Sequence, residues 1–387
     1  MKVLLHSNSP YAPTGYGQQT NQLARNLLAD QHGVAISAFY GLSGSILNWE
    51  GITIYPAGYD LYGNDVVLAH AQNHFEGDVL GGLIITLVDV WVLSAANMTR
   101  ANVACWTPVD HDPPPPRVLD FLRAYGGFTL AMSRYGQDAL AAEGIESYYV
   151  PHGIDTETFA PIDMAQARDT LGFPQDAFIV TMVAANKGYP PRKGFPEAIQ
   201  AFGRFAAEHE DAFLYLHTDV NGTVEGANIP AILASEKIDP ERVKLVDPYH
   251  YLVGLPAQHV VNVYSASDVL LNPAYGEGFG IPVIEAQSCG CPVITTNFTA
   301  MPELTGAGWI VEGQRFWTMQ GSWWKVPDVD AICLALEEAY KREPGVRETA
   351  REFALQYDDK RVYAEHWKPA LADIEEKMGK PAMALAA

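Results

Sequence analysis

The chain has 387 residues, of which 48% are hydrophobic and 18% charged, and its formal net charge is -21. This length favours two domains of ordinary size, and the composition excludes a disordered chain. The negative charge argues against an extended nucleic-acid or anionic-membrane surface, because phosphate-rich partners are normally met by a basic face.

The first 150 residues predict strands that alternate with helices. A short strand at 2–7 precedes a loop rich in Gly and Pro, which leads into a helical pattern at 18–30. Further strand-like runs lie at 66–70, 82–88, 103–109, 128–133 and 147–152, with a helical pattern at 135–143 between the last two. Alternation of this kind predicts a parallel α/β sheet.

A turn-rich segment follows, and a second α/β series then begins. Its predicted elements are strands at 177–186, 212–218, 242–247, 268–273 and 291–296, a helix at 195–208, and a largely helical region at 327–380. We therefore predict a Rossmann-like domain over 1–165 and a second one over 170–360. A C-terminal helix at 362–387 is expected to pack back on the first domain.

Cysteine usage and the N-terminus bear on the compartment. The four cysteines lack the paired spacing of a zinc site or the density of a disulfide scaffold. The N-terminal apolar run has three residues, too few for a signal peptide, and no run of eighteen apolar residues occurs. These features predict a cytoplasmic protein that is not integral to a membrane. No cluster of metal ligands is visible in the sequence, so we expect no metal, and we expect no cofactor.

A glycine-rich loop, GEGFG at 276–280, lies between the predicted strand at 268–273 and a helix that Pro282 opens. Its glycines let the backbone approach a ligand, and the free amides at a helix start suit a diphosphate. The predicted anion-binding residues are Gly278, Phe279 and Gly280.

Two carboxylates, Glu277 and Glu285, flank this anion site. A carboxylate beside a phosphate would repel it, so we expect both to accept hydrogen bonds from neutral sugar hydroxyls. Glu277 is assigned to a transferred sugar and Glu285, placed in the first turn of the helix, to a ribose. The alternative is that Glu285 is a favourable charge at a helix start and Glu277 a plain loop residue.

These motifs resemble the E-x7-E signature of retaining glycosyltransferases with the GT-B fold, in the family 4-like group known as glycosyl transferases group 1. The segments SRYGQDALAAEGI, VPHGIDTETFAP and KGYPPRKGFPEAIQAF are similar to other parts of that family, in the same order. The resemblance implies two Rossmann-like doubly wound domains facing across a cleft, with acceptor binding on the first and nucleotide-sugar binding on the second.

The resemblance also implies site residues. Arg192 and Lys193 would neutralise the donor diphosphate as the sugar leaves, and His111 would touch the sugar. Gly15 and Gly17 precede a helix, where their amides would meet a phosphate, although a plain tight turn explains them equally well. The alternatives are a solvated loop pair for Arg192 and Lys193 and a turn-capping histidine for His111.

The function expected from the resemblance is retaining transfer of a hexose-type sugar from a UDP- or GDP-sugar co-substrate to an acceptor hydroxyl. The acceptor class stays open among a glycan, a lipid, a small molecule, a protein and a modified nucleobase. Two other hypotheses are a nucleotide-sugar epimerase or hydrolase on the same fold and a non-catalytic nucleotide-sugar-binding protein.

Overall fold

A computed structural model describes residues 1–378 and divides the chain into two compact units. Unit 1 comprises residues 1–153, 320–322 and 359 onward, and unit 2 comprises residues 154–319 and 323–358. The last part of the predicted helix at 362–387, residues 379–387, lies outside the described residues.

Unit 1 is built on an eight-stranded sheet. Its strands are β1 (Lys2–Asn8), β2 (Gly33–Tyr40), β3 (Leu47–Trp49), β4 (Ile52–Tyr55), β5 (Gly82–Leu87), β6 (Asn102–Thr107), β7 (Phe128–Ala131) and β8 (Tyr148–Tyr149). They lie in the order β3-β4-β2-β1-β5-β6-β7-β8, and every pair is parallel except β3 with β4. The central strands are buried almost throughout, as parallel strands covered on both faces must be.

The helices of unit 1 are α1 (Gly15–Ala29), α2 (Val67–His74), α3 (Ala95–Met98), α4 (Pro116–Tyr125) and α5 (Arg134–Ala142). Two more, α15 (Asp359–Val362) and α16 (Lys368–Lys377), come from the end of the chain and are joined by a π-helical turn over Tyr363–Trp367. Trp367 packs its ring against Trp106 of β6, with 4.8 Å between centroids. The C-terminal segment thus contributes to the core of unit 1.

Unit 2 has a six-stranded parallel sheet in the order β11-β10-β9-β12-β13-β14 and a separate hairpin, β15-β16. The strands are β9 (Phe178–Val183), β10 (Ala212–His217), β11 (Val243–Leu245), β12 (Val269–Asn272), β13 (Val293–Thr296), β14 (Gly308–Val311), β15 (Gly313–Trp317) and β16 (Trp323–Pro327). The helices are α6 (Met164–Leu171), α7 (Phe195–Glu208), α8 (Ile229–Ser235), α9 (Pro248–Val253), α10 (Ala257–Ala266), α11 (Ile281–Ser288), α12 (Met301–Leu304), α13 (Val329–Tyr340) and α14 (Val346–Ala354).

The two Rossmann-like units confirm the predicted fold class, and some local predictions were wrong. The run at 66–70 is not a strand but begins α2, and the predicted strand at 147–152 is only two residues long. Strand β2 was missed, although residues 34 to 38 are all buried. Within residues 1–378, no helix has the length and apolar character needed to span a membrane.

Candidate functional site

Arg192 and Lys193 lie in the loop that joins β9 to α7 in unit 2. Gly194 ends this loop as the N-cap of α7 with φ of 70°, a conformation that favours glycine. A β-carbon at this position would lie 2.2 Å from the carbonyl oxygen of Pro273, so only glycine fits. The carbonyl oxygen of Arg192 accepts a 2.7 Å hydrogen bond from the Tyr275 amide, which fixes the loop to the segment after β12.

The glycine-rich loop follows β12 and leads into α11. The Glu277 amide donates to Thr299 Oγ1 at 3.0 Å, and Gly280 stands before the helix with φ of 121°. The amides of Gly278 and Gly280 donate no hydrogen bond to any other group in the part of the chain that the structure describes. Those amides therefore keep the donor capacity that an anion needs at a helix start.

Three charged side chains converge beside this loop. The Lys193 ammonium donates to one Glu277 carboxylate oxygen in a short contact, and Arg192 Nη1 lies 3.4 Å from the other. Arg192 also donates to the carbonyl oxygen of Gly276 at 2.9 Å. With 9% exposure of the Glu277 side chain and 20% of Lys193, the pair is largely removed from water.

Burial lowers the pKa of Lys193, and the Glu277 charge opposes that effect while Arg192 adds to it. The three groups together carry one net positive charge next to the glycine-rich loop. Such a cluster suits a dianionic ligand, because the cations are already held in place before the ligand arrives.

Glu285 lies in the second turn of α11 and not in the first, as the sequence had suggested. It is buried, and one of its carboxylate oxygens accepts a 3.2 Å hydrogen bond from the Tyr264 hydroxyl. Burial and the Glu285 charge raise the pKa of that phenol well above its ordinary value. The ring of Phe279 is also buried and contacts the Tyr357 ring, so its backbone is the part suited to a ligand.

His111 follows β6 at the carboxyl edge of the unit 1 sheet. Its side chain is fully buried, and its Nδ1 lies 2.6 Å from Asp110 Oδ1. The His111 carbonyl oxygen accepts a hydrogen bond from the Tyr135 hydroxyl at 2.8 Å. Asp110 thus fixes the orientation of the imidazole, as a carboxylate does for a histidine that works on a substrate.

Gly17 has a structural explanation. Thr14 caps α1 and its hydroxyl oxygen accepts the Gly17 amide at 3.0 Å, so this amide is already used. A β-carbon at Gly17 would lie 2.4 Å from the Ala12 carbonyl oxygen. The tight-turn alternative accounts for Gly17, and Gly15 is the first residue of the helix.

The sequence reasoning missed Glu197, which lies in the first turn of α7 and accepts a 2.7 Å hydrogen bond from the Tyr275 hydroxyl. Its other carboxylate oxygen is buried and has no hydrogen-bond partner among the described residues. Burial raises the pKa of Glu197. The motif KGFPE placed it three residues from Gly194, but a charged residue in a first helical turn is ordinary, so nothing marked it.

No group of three or more His, Cys, Asp or Glu side chains within residues 1–378 is arranged to hold a metal ion. Both motif-bearing loops of unit 2 follow the carboxyl ends of parallel strands, β9 and β12, which are neighbours in the sheet. Open parallel sheets bind their ligands at this edge. The arrangement can therefore hold an anionic group between a cation pair and free amides.

Comparison with known proteins shows which family part of this chain is similar to. Residues 179–340 match the family model described as Glycosyl transferases group 1. A D-inositol 3-phosphate glycosyltransferase from Acidothermus cellulolyticus is 31% identical over 167 residues, which are 41% of this chain and 35% of that protein. O-antigen chain mannosyltransferase B from Escherichia coli is 25% identical over 168 residues, 36% of this chain and 42% of the relative. These alignments span less than half of the length of either relative.

Solved structures extend the likeness to both units. A glycosyltransferase from Rickettsia africae superposes with a TM-score of 0.72 at 16% identity, covering 98% of this chain and 99% of that one. Anabaena Alr3699/HepE, solved with UDP and glucose, superposes with a TM-score of 0.70 at 16% identity, covering 96% and 100%. At such identities the likeness establishes the fold, which is GT-B. Residues 179–340, which lie in unit 2 apart from 320–322, therefore carry the similarity to the glycosyl transferases group 1 family, and both units have the GT-B fold.

Proposed function

We propose that this protein is a retaining glycosyltransferase that moves a hexose-type sugar from a UDP- or GDP-sugar to an acceptor hydroxyl. The observation that carries the proposal is the convergence of Arg192 and Lys193 on Glu277 beside the unused amides of Gly278 and Gly280. Two cations and two amides form a preorganised site for a diphosphate.

Without a donor, the Glu277 carboxylate neutralises the cations that we assign to the diphosphate. When the diphosphate arrives, Arg192 and Lys193 transfer their hydrogen bonds to phosphate oxygens, and Glu277 is released to accept hydrogen bonds from the sugar hydroxyls. Glu285 is assigned to the ribose of the nucleotide. His111 of unit 1, oriented by Asp110, is assigned to the transferred sugar.

The proposed chemistry needs no protein nucleophile. The acceptor oxygen forms a bond to the anomeric carbon while the bond from that carbon to the phosphate oxygen breaks, and the nucleoside diphosphate leaves with the electron pair. The acceptor proton passes to the leaving phosphate on the same face, so the anomeric configuration is kept. Arg192 and Lys193 stabilise the negative charge that develops on the leaving group.

A panel of UDP-glucose, UDP-galactose, UDP-N-acetylglucosamine and GDP-mannose tests the proposal, with binding and slow hydrolysis as readouts. The wild type should bind and hydrolyse one donor. Arg192→Ala and Glu277→Ala should each bind and hydrolyse that donor at least about tenfold less well, since a charge-assisted hydrogen bond is worth about 1.5–3 kcal/mol. Arg204→Ala is the matched control, because Arg204 lies on the following helix α7 and forms an exposed ion pair with Asp330.

NMR of the released sugar, recorded before mutarotation, gives the stereochemistry. An α-linked donor should release the α anomer first. If no donor binds, or if Glu277→Ala is as active as the wild type, this site is not the donor site. An epimerised nucleotide sugar among the products would replace the transferase with an epimerase.

A further inference from the structure

Exposed tyrosines follow three neighbouring strands of unit 1 at the carboxyl edge of its sheet. Tyr11 lies in the loop after β1, Tyr40 ends β2, and Tyr59 lies in the loop after β4. Tyr59 is fully exposed, and Tyr40 and Tyr11 are 55% and 44% exposed. None of these three rings contacts another aromatic ring or donates a hydrogen bond within residues 1–378. We call this set the tyrosine surface.

The three loops are tied to one another by the backbone. The Ser9 amide donates to the Tyr40 carbonyl oxygen at 2.8 Å, and the Ala57 amide donates to the Leu42 carbonyl oxygen at 2.9 Å. A β-carbon on Gly41 would lie 2.1 Å from Ser9 Oγ, so the loops after β1 and β2 are in direct contact. The loops that carry the tyrosines are therefore connected at one edge of the sheet.

The loop that carries Tyr59 is held rigidly. Asp65 accepts the Tyr59 amide at 2.7 Å, and Asp60 accepts the amides of Tyr62 and Asn64 at 2.9 and 3.0 Å. Asp60 also accepts from the Asn64 side chain at 3.0 Å. A large aromatic ring that faces water from a rigid loop loses little entropy when a ligand covers it, which is how binding surfaces use tyrosine.

The charge around this surface selects among ligand classes. The segments that carry the three tyrosines, residues 9–14, 40–46 and 56–66, contain no Lys or Arg, and their only Asp or Glu residues are Asp60 and Asp65. A phosphorylated small molecule, a nucleic acid or an anionic lipid surface would meet no cation from these segments and would be repelled by the two carboxylates.

We propose that the tyrosine surface binds an uncharged saccharide, so that the acceptor in the proposed transfer is a neutral glycan. The apolar faces of sugar rings pack on exposed aromatic rings, and sugar hydroxyls are satisfied by hydroxyls, backbone groups and carboxylates. This inference rests on the proposed function for the identity of the reaction, and on unit 1 alone for the chemistry of the acceptor.

The test uses the full chain and a set of named probes. Neutral probes are maltohexaose, cellohexaose and an α-linked mannohexaose, and anionic probes are myo-inositol 1-phosphate, a duplex DNA of about 20 base pairs and phosphatidylglycerol vesicles. Binding is measured by titration calorimetry and saturation-transfer NMR. At least one neutral oligosaccharide should bind, and Tyr59→Ala should weaken that binding about fivefold or more, which corresponds to the loss of one aromatic contact of about 1 kcal/mol.

Variants separate a binding role from a structural one. Tyr59→Phe and Tyr59→Trp keep the ring and should retain binding, whereas Tyr249→Ala, which removes a 68% exposed tyrosine of unit 2, should leave it unchanged. Donor hydrolysis is measured in parallel and should be equal in wild type and the control Tyr249→Ala.

The outcomes distinguish the two proposals. Absence of donor binding and hydrolysis in the wild type defeats the proposed function. Normal donor hydrolysis together with no binding of any neutral probe, with preferred binding of an anionic probe, or with no effect of Tyr59→Ala overturns the tyrosine surface as an acceptor site.

Discussion

The Lys193–Glu277 contact allows the stability of the donor site to be separated from its binding role. The variants are Lys193→Met, Glu277→Gln and the double variant. Because both side chains are mostly buried, removing one partner leaves the other charge poorly compensated. For a fully buried pair this loss is about 3–5 kcal/mol.

The magnitude here is smaller, because Arg192 remains near Glu277 in Lys193→Met and because Lys193 keeps some contact with water. We expect each single variant to lower the free energy of unfolding of unit 2 by about 2 kcal/mol. The double variant should be more stable than the sum of the single effects by about 1–2 kcal/mol, as expected for residues in direct contact. In differential scanning calorimetry, each kcal/mol lost should lower the unfolding temperature of a unit of this size by roughly 2–4 °C.

Donor binding should follow a different pattern. If Lys193 contacts the diphosphate, Lys193→Met weakens binding of the preferred nucleotide sugar about 10-fold to 150-fold, and the double variant does not recover it. Additive stability effects would show that Lys193 and Glu277 do not interact as the structure places them. Unchanged donor affinity in Lys193→Met, with the coupling intact, would refute the assignment of Lys193 to the diphosphate.

Three further variants test the neighbouring structure. Gly194→Ala should destabilise unit 2 by about 2 kcal/mol more than Gly188→Ala, measured by thermal unfolding, because both glycines have positive φ but only Gly194 meets a backbone oxygen; equal losses would contradict the close approach to Pro273. Glu197→Gln should stabilise unit 2 increasingly as the pH rises above the ordinary carboxyl pKa, because burial raises the pKa of Glu197 and its ionisation opposes folding. A gain in stability that does not depend on pH would refute this explanation. Unit 1 should lose stability as the pH falls from 6.5 towards 4, because burial lowers the pKa of His6 to about 4. Protonation of His6 then favours the unfolded chain by up to about 3 kcal/mol. Acid titration followed by near-UV circular dichroism should show this loss of stability, and His6→Gln should reduce it.

The fold was predictable because both sheets consist of buried parallel strands, which appear in a sequence as continuous apolar runs. Where an apolar run was short, length could not separate a strand from a buried helix, and α2 was misread for this reason. Strand β2 was missed although Asp30 and Gly33 mark a break after α1 and a buried run follows at 34–38, a pattern typical of a strand. The short β8 is defined by its pairing with β7, which a local pattern does not contain.

The candidate site was predictable to a similar extent. Spacing and residue type predicted that Arg192, Lys193 and Glu277 lie close together, because they follow the carboxyl ends of two neighbouring parallel strands. The prediction could not anticipate that the cations contact Glu277 directly, since this depends on the hydrogen bond between the Tyr275 amide and the Arg192 carbonyl. Glu197 was not predicted for a similar reason, because its hydrogen-bond partner Tyr275 comes from the other loop.

The unequal strength of the family signal along the chain agrees with the two proposals. The family model covers residues 179–340, which all belong to unit 2 except the three residues at 320–322. On the proposed function, unit 2 holds the diphosphate and the ribose of the donor. Unit 1 would bind the acceptor. On these two proposals, the tyrosine-rich carboxyl edge of β1, β2 and β4, whose loops carry no Lys or Arg, is the part of the chain that sets its acceptor specificity.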